Sequence, residues 1–316
     1  MMGTLLIDRK NVELRKEGAH VLVYESGERT GSVPIRQIDR VVIHGRVLLD
    51  TSLLGALAGA GIGLVALNQR KPANTAHVQG NAGNDVRRRV GQYRLALDES
   101  WKARTADLAV RMKVRGQRRL LARARKTRPD QRLELTKALR EIELRLAALA
   151  ETGISRDTIR GIEGAAAASY FRGYSSLFPG SLNFTGRNRR PPRDPVNACL
   201  SLGYTLLHSE AVMALHGAGL DPMLGFYHDP AFGRESLASD VIEPLRPVVD
   251  AWVWSLFRDR ELRGDHFRAD GDACLLGKQG RTVFYARWQG PAGGLRHRLR
   301  AIARWLARRI EAAGGP

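Results

Sequence analysis

The spacing of apolar residues changes near residue 70, and that change limits the possible folds more than any other feature of the chain. Upstream, the pieces "TLLID", "NVELRKE", "HVLVYES", "RTGSVPI" and "IDRVVIH" are rich in Val, Ile and Leu, several of them alternate, and turn formers such as Gly18, Ser26-Gly27 and Pro34 separate them. They predict short strands, followed by an Ala/Gly-rich helix from Thr51 to Ala60 and a compact strand, "IGLVALN". Downstream, Leu and Ala recur every three or four residues with charge on the other faces, which is the helix period. The stretch between, "RKPANTAHVQGNAGNDVRRRV", combines Pro72 with several Gly and Asn and has no apolar period, so it reads as a linker. Such segregation predicts an α+β chain: a small N-terminal β-sandwich-like domain (1–70), a linker (71–86) and a larger all-helical domain (87–316). One helix is expected from near Ser155 to near Phe171. Another should start with Asp194 as N-cap and Pro195 in its first turn, stopping at Gly217 or Gly219, and a third should run from about Ser236.

Charge narrows the partners. Among 316 residues, 51 Lys and Arg face 32 Asp and Glu, leaving +19 at neutral pH. Self-repulsion on that scale opposes compaction, and a phosphate-rich partner relieves it. The excess is also clustered. From Val86 to Arg128 the bases are Arg87, Arg88, Arg89, Arg94, Lys102, Arg104, Arg111, Lys113, Arg115, Arg118, Arg119, Arg123, Arg125, Lys126 and Arg128, opposed only by Asp98, Glu99 and Asp107. A solvated helix interleaves both signs, so this one reads as a phosphate-tracking surface. From Arg281 the tail adds Arg287, Arg296, Arg298, Arg300, Arg304, Arg308 and Arg309 before its first acid, Glu311. Two cysteines, Cys199 and Cys274, provide neither a disulfide framework nor a zinc spacing. No basic-then-apolar signal is present at the N-terminus, and no run reaches the roughly 18 apolar residues of a membrane span. The expectation is a cytoplasmic protein.

Three places set a polar group where it has little structural use. Glu163 lies in "IRGIEGAAAASYF", where Gly161, Gly164 and the alanines suggest a small-residue face that another backbone approaches, and a carboxylate there should be desolvated. An ion pair with Arg160 or Arg172 would explain it without any chemistry. His228 sits in the turn-rich "DPMLGFYHDP". In "ASDVIEPLRP", Asp240 and Glu243 are three apart, on one helical face, while Pro244 and Pro247 force the helix to kink or restart. Carboxylates with one imidazole suit Mg²⁺ or Mn²⁺ more than a closed zinc site, and beside a basic surface such a metal would serve phosphodiester chemistry. No GxxxxGK[ST], GxSxG, CxxC or HExxH motif competes.

In order and spacing, "RGIEGAAAASYF", "NRRPPRDPVNACLSLGYTLL", "GLDPMLGFYHDP" and "SDVIEPLRP" closely resemble the signature blocks of the CRISPR-associated adaptation integrase, the metal-dependent nuclease of spacer acquisition. The resemblance implies a β domain joined to a helical catalytic domain, and a homodimer made largely through the β domains. It also implies a dimer of a small ferredoxin-like partner nuclease between two such dimers, and insertion of short DNA duplexes into a CRISPR repeat by transesterification from 3′-hydroxyl ends. Carried over position by position, the metal ligands fall on Glu163, His228 and Glu243, with Asp240 as support or alternate ligand. Tyr227 stands where the family often has Phe or Leu, and Val241-Ile242 where it tends to have Leu-Met. Arg187, Arg189, Arg190 and Arg193, stiffened by Pro191 and Pro192, would face phosphates together with Arg246. The rival readings are a non-catalytic DNA-binding scaffold and a general nuclease for branched DNA in repair.

Overall fold

A computed structural model describes residues 3–67, 75–78, 83, 85–151, 153–188 and 191–314. The N-terminal region is a sandwich of two four-stranded sheets. The first has the order β4 (Glu28–Pro34), β3 (His20–Glu25), β2 (Val12–Glu17), β6 (Val47–Leu49). The second has the order β1 (Gly3–Ile7), β5 (Ile38–His44), β7 (Gly63–Leu67), β8 (Ala76–Val78). Between them lie Val12, Leu14 and Val21 from one sheet and Ile7, Ile38, Val41, Ile43 and Leu64 from the other, with Leu53 and Leu57 of α1 (Thr51–Gly59). Asp50 starts α1 by accepting from the Ser52 backbone N–H at 2.9 Å.

The rest is largely helical: α2 (Val86–Leu95), α3 (Glu99–Thr127), α4 (Arg132–Ala148), α5 (Arg156–Ser175), α6 (Pro195–Gly217), α7 (Ser236–Ile242), α8 (Arg246–Arg258) and α9 (Lys278–Gly314). α3 has the apolar stripe its spacing requires, Ala106, Val110, Val114, Leu120, Leu121 and Ala124, all buried. α6 is long and apolar enough to cross a membrane by length and composition, yet it runs through the core, with Val196, Cys199, Leu200, Leu207, Ala211 and Leu215 buried. The expected Asp194 cap is present and accepts from the Asn197 N–H at 2.8 Å. α7 stops at Ile242, a 3₁₀ turn covers Glu243–Leu245, and α8 opens at Arg246, so the two prolines do restart the helix.

Three details depart from the sequence reading. The region expected to be all-helical contains a hairpin, β9 (Phe267–Asp270) with β10 (Ala273–Leu276), and the Cys274 N–H donates to the Pro192 carbonyl at 2.7 Å, extending that hairpin toward the proline lead-in. The stretch read as linker contains β8, antiparallel to β7. Gly161 and Gly164 meet no neighbour; close approach occurs instead at Gly173, where a Cβ would stand 2.7 Å from Ala138, and at Gly203, 2.8 Å from Val249.

The two regions are fastened mainly by α9. Gln289 exchanges two hydrogen bonds of 3.2 Å with the Thr4 backbone, and Arg281 donates to Asp8 at 2.9 Å. Asp8 also contacts His44 at 2.7 Å. Burial raises the Asp8 pKa, but hydrogen bonds from His44 and Arg281 outweigh it and hold the carboxyl below its ordinary value.

Candidate metal centre

Each candidate side chain is placed by a different element. Glu163 projects from the middle of α5, Glu243 from the 3₁₀ turn after α7, and His228 from the loop between α6 and α7. α3 joins the first two. The Lys113 ammonium bonds Glu163 Oε1 and lies 2.6 Å from Glu243 Oε2. Lys113 is therefore buried rather than part of a phosphate-facing surface. Burial disfavours its charge, but Glu243 and Glu163 reverse the balance and raise its pKa. Neither Arg160 nor Arg172 pairs with Glu163. Arg160 donates to Asp229 at 2.6 Å and to the Tyr227 carbonyl at 2.9 Å, while Arg172 pairs with Glu141.

Glu243 is buried between two cations. Arg246 Nε reaches its Oε1 at 2.7 Å and stacks over the Tyr204 ring, 4.6 Å from the centroid. Burial alone would raise the Glu243 pKa; Arg246 and Lys113 hold it well below the usual carboxylate range. Arg246, expected to contact DNA, is thus committed to a ligand candidate. Below it lies Asp250, 1% exposed, which accepts from the Tyr204 hydroxyl and from Tyr170 at 2.7 Å, while Tyr174 bonds its backbone carbonyl. Burial outweighs the two tyrosine hydrogen bonds and pushes the Asp250 pKa up to about 6.

Asp240 organises the histidine. One carboxylate oxygen accepts from the backbone N–H groups of Phe226 (2.6 Å) and Tyr227 (2.9 Å); the other accepts from the His228 N–H (2.9 Å) and lies 2.7 Å from His228 Nδ1. The loop wraps so closely that a Cβ at Gly225 would fall 2.6 Å from Asp240 Oδ2 and 2.8 Å from the Ser236 carbonyl carbon. Asp229 then ties the loop to α5 through Arg156 and Arg160, each at 2.6 Å. With three backbone N–H groups and His228 Nδ1 against it, the Asp240 carboxylate has little capacity left for a ligand, and it fixes the imidazole with Nε2 turned away.

Among the described residues, no three His, Cys, Asp or Glu side chains converge as a metal cage. An ammonium stands between Glu163 and Glu243, and His228 Nδ1 is engaged by Asp240. The donors nevertheless suit a hard divalent cation: two carboxylates already share one cation, and buried Glu243 Oε2 has no hydrogen-bond partner of good geometry. Sequence reasoning missed Lys113, Gly225 and Asp250. Lys113 was detectable, since it falls on the buried stripe of α3 between Val110 and Gln117.

The arginine lead-in divides. Arg187 turns inward, donating to Asn197 Oδ1 (2.8 Å) and Ser201 Oγ (3.1 Å) and lying over Tyr204. Arg193 is exposed, and Arg189 and Arg190 lie outside the described residues. On α3, Arg104, Arg115, Arg119, Arg123, Arg125 and Lys126 are exposed, and among the described residues none has a carboxylate partner.

The family model described as CRISPR associated protein Cas1 matches residues 5–290. The chain belongs to the Cas1 family. A CRISPR-associated endonuclease Cas1 of Thermodesulfovibrio yellowstonii is 38% identical over 311 residues, covering 98% of this chain and 97% of the relative. Among solved structures, a casposase bound to integration product shares the Cas1 fold with a TM-score of 0.81 at 20% identity, over 98% of this chain and 91% of that one. A Cas6-RT-Cas1–Cas2 complex matches with a TM-score of 0.78 at 21% identity, over 98% of this chain and 35% of that one.

Proposed function

We propose that this Cas1 chain is a divalent-metal-dependent DNA integrase and endonuclease of CRISPR adaptation, joining 3′-hydroxyl ends of short duplexes to the CRISPR repeat by transesterification. One observation carries the reading: Glu163 and Glu243, far apart in sequence, share a buried cation beside an imidazole that Asp240 holds in a fixed orientation. Glu163, Glu243 and His228 Nε2 would hold Mg²⁺ or Mn²⁺, which when bound supplies charge stabilisation to a phosphodiester under attack. The protein's residues do the remaining work. Asp240 orients His228, Arg246 keeps Glu243 ionised, and exposed α3 arginines with Arg193 position DNA phosphates. The attacking hydroxyl belongs to DNA, so no protein nucleophile is required. The casposase with its integration product supports strand transfer, and the complex with Cas2 supports a partner, which the resemblance makes a small ferredoxin-like nuclease. The same resemblance gives a homodimer through the β domains.

The test is strand transfer into repeat DNA with Mn²⁺, with and without chelator, for the parent, Glu163→Ala and His228→Ala. Both variants should lose transfer and keep DNA binding. Transfer at the parental rate by either variant, or transfer that ignores chelation, refutes the assignment. A chain that binds DNA and never cuts it would be the scaffold.

A further inference from the structure

Away from the carboxylates and imidazole, α9 presents Arg296, Arg300 and Arg304 at intervals of four, on one face, toward Arg40 of β5. Between this face, the sheet and α6 is a cavity of about 310 Å³, which none of Glu163, His228, Asp240 or Glu243 lines. That volume lies at the low end for small-ligand sites, roughly 300–1,000 Å³. Its floor is Arg40, 4% exposed. Arg40 Nη2 pairs with Glu210 Oε2, but its Nε and Nη1 have no hydrogen-bond partner. Buried guanidinium donors are normally satisfied, and each one left open costs free energy.

The charges do not balance either. Arg296 reaches Glu210 Oε1 at 3.6 Å and Asp39 Oδ2 at 3.4 Å. Arg300 and Arg304 stand at the exposed rim, and among the described residues neither has a carboxylate partner. Four guanidiniums thus face two carboxylates, a surplus of two positive charges. His216 adds none at neutral pH, because burial lowers its pKa. Gly63 lets the Arg40 and Met213 side chains lie directly on β7: a Cβ there would stand 2.7 Å from Arg40 Nη1 and 2.0 Å from Met213 Cε.

We propose that this cavity binds a phosphomonoester dianion, the terminal phosphate of a free nucleotide or of a DNA 5′ end. Two negative charges match the surplus, and phosphate oxygens satisfy the open Arg40 donors. A carboxylate would leave one charge uncompensated, and an internal phosphodiester carries one charge only.

The test uses the full chain in chelator, so that the metal centre contributes nothing, with a deoxynucleoside 5′-monophosphate as probe and the unphosphorylated nucleoside as control. Titration calorimetry should show saturable binding of the monophosphate alone. Arg300→Gln with Arg304→Gln, both exposed and tolerable to the fold, should weaken it by about tenfold or more, and Arg40→Met should abolish it. If Arg40→Met fails to fold, the rim variant carries the test. A duplex with 5′-phosphate that displaces the probe better than the same duplex with 5′-hydroxyl identifies the DNA end as the source; equal or absent displacement identifies a free nucleotide. No saturable binding of the monophosphate, or binding unchanged in the rim variant, overturns the proposal.

Discussion

Replacing Lys113 by methionine keeps the length of the side chain and removes the charge that Glu163 and Glu243 share. Removing one partner of a buried ion pair costs about 3–5 kcal/mol, because the remaining charge is left uncompensated. Here the lower end applies, since Arg246 still neutralises Glu243 and the Glu163 side chain is 20% exposed. About 3 kcal/mol translates to a fall of roughly 5 °C in Tm for a protein of this size. That loss should appear in chelator. With Mn²⁺ present, the variant should recover most of it, because a divalent cation replaces the missing ammonium without having to displace it. Thermal unfolding of parent and variant, each with chelator and with Mn²⁺, therefore has a specific signature: a larger metal-induced shift in Lys113→Met than in the parent. The reasoning fails if the two proteins melt together in chelator, or if Mn²⁺ stabilises the variant no more than the parent.

Asp240→Asn puts an amide against backbone N–H groups that need acceptors, so the metal half-saturation of strand transfer should rise by about 10–100-fold while DNA affinity is unchanged. Gly225→Ala should show the same defect without touching a charge, since the added methyl forces the loop off Asp240; an Ala variant with parental metal dependence would discount the close packing. Asp250 has a folded-state pKa of about 6 against an ordinary 3.8, so the native state holds a proton that the unfolded state has released between those values. Stability should fall as pH rises through that window, by up to about 3 kcal/mol, and the penalty should persist above it. Urea unfolding on both sides of the window should show Asp250→Asn gaining on the parent as pH rises, and a pH-independent difference between them would contradict this. Duplex binding should weaken steeply with added salt, with a slope that Arg115→Gln and Arg119→Gln together reduce by about two.

β2 was legible because burial on one face of a sheet imposes alternation, and β3 and β5 because a short run of Val, Ile and Leu suits a strand covered on both faces. β6 and β8 were not, since each has three residues and takes its strand state from a neighbour rather than from its own pattern. The β9–β10 hairpin turns on Gly271 at positive φ, a signal present in "ADGDA" but lost inside a basic region read as helix. At the candidate site, Glu163 and Glu243 stood out because a carboxylate among alanines or before a proline has little packing role, while His228 was singled out by its place in a block that resembles the family's. Asp250, in "VVDAWVW", gives no sequence signal of its surroundings, and only the crossing of α5, α6 and α8 brings three tyrosines to it. Arg187 and Arg246 belonged to basic clusters, and charge count alone cannot tell a guanidinium facing solvent from one stacked on Tyr204.

The clasp between α9 and β1 also sets a timetable. Thr4 is separated by 285 residues from the glutamine that closes its two hydrogen bonds, so on the ribosome the first strand emerges long before its partner exists. The sandwich can collapse on Leu14, Val21 and Leu64 early, but the sheet surface carrying Val42 and Val65, which packs into the helical core, must wait exposed to water until the helices that meet it, α6 and finally α9, are made. That waiting face is apolar and strand-built, the kind of surface that pairs with the wrong chain. Arg40 lies in the same strand, and a charge in the middle of that face keeps nascent copies from stacking before the last helix arrives.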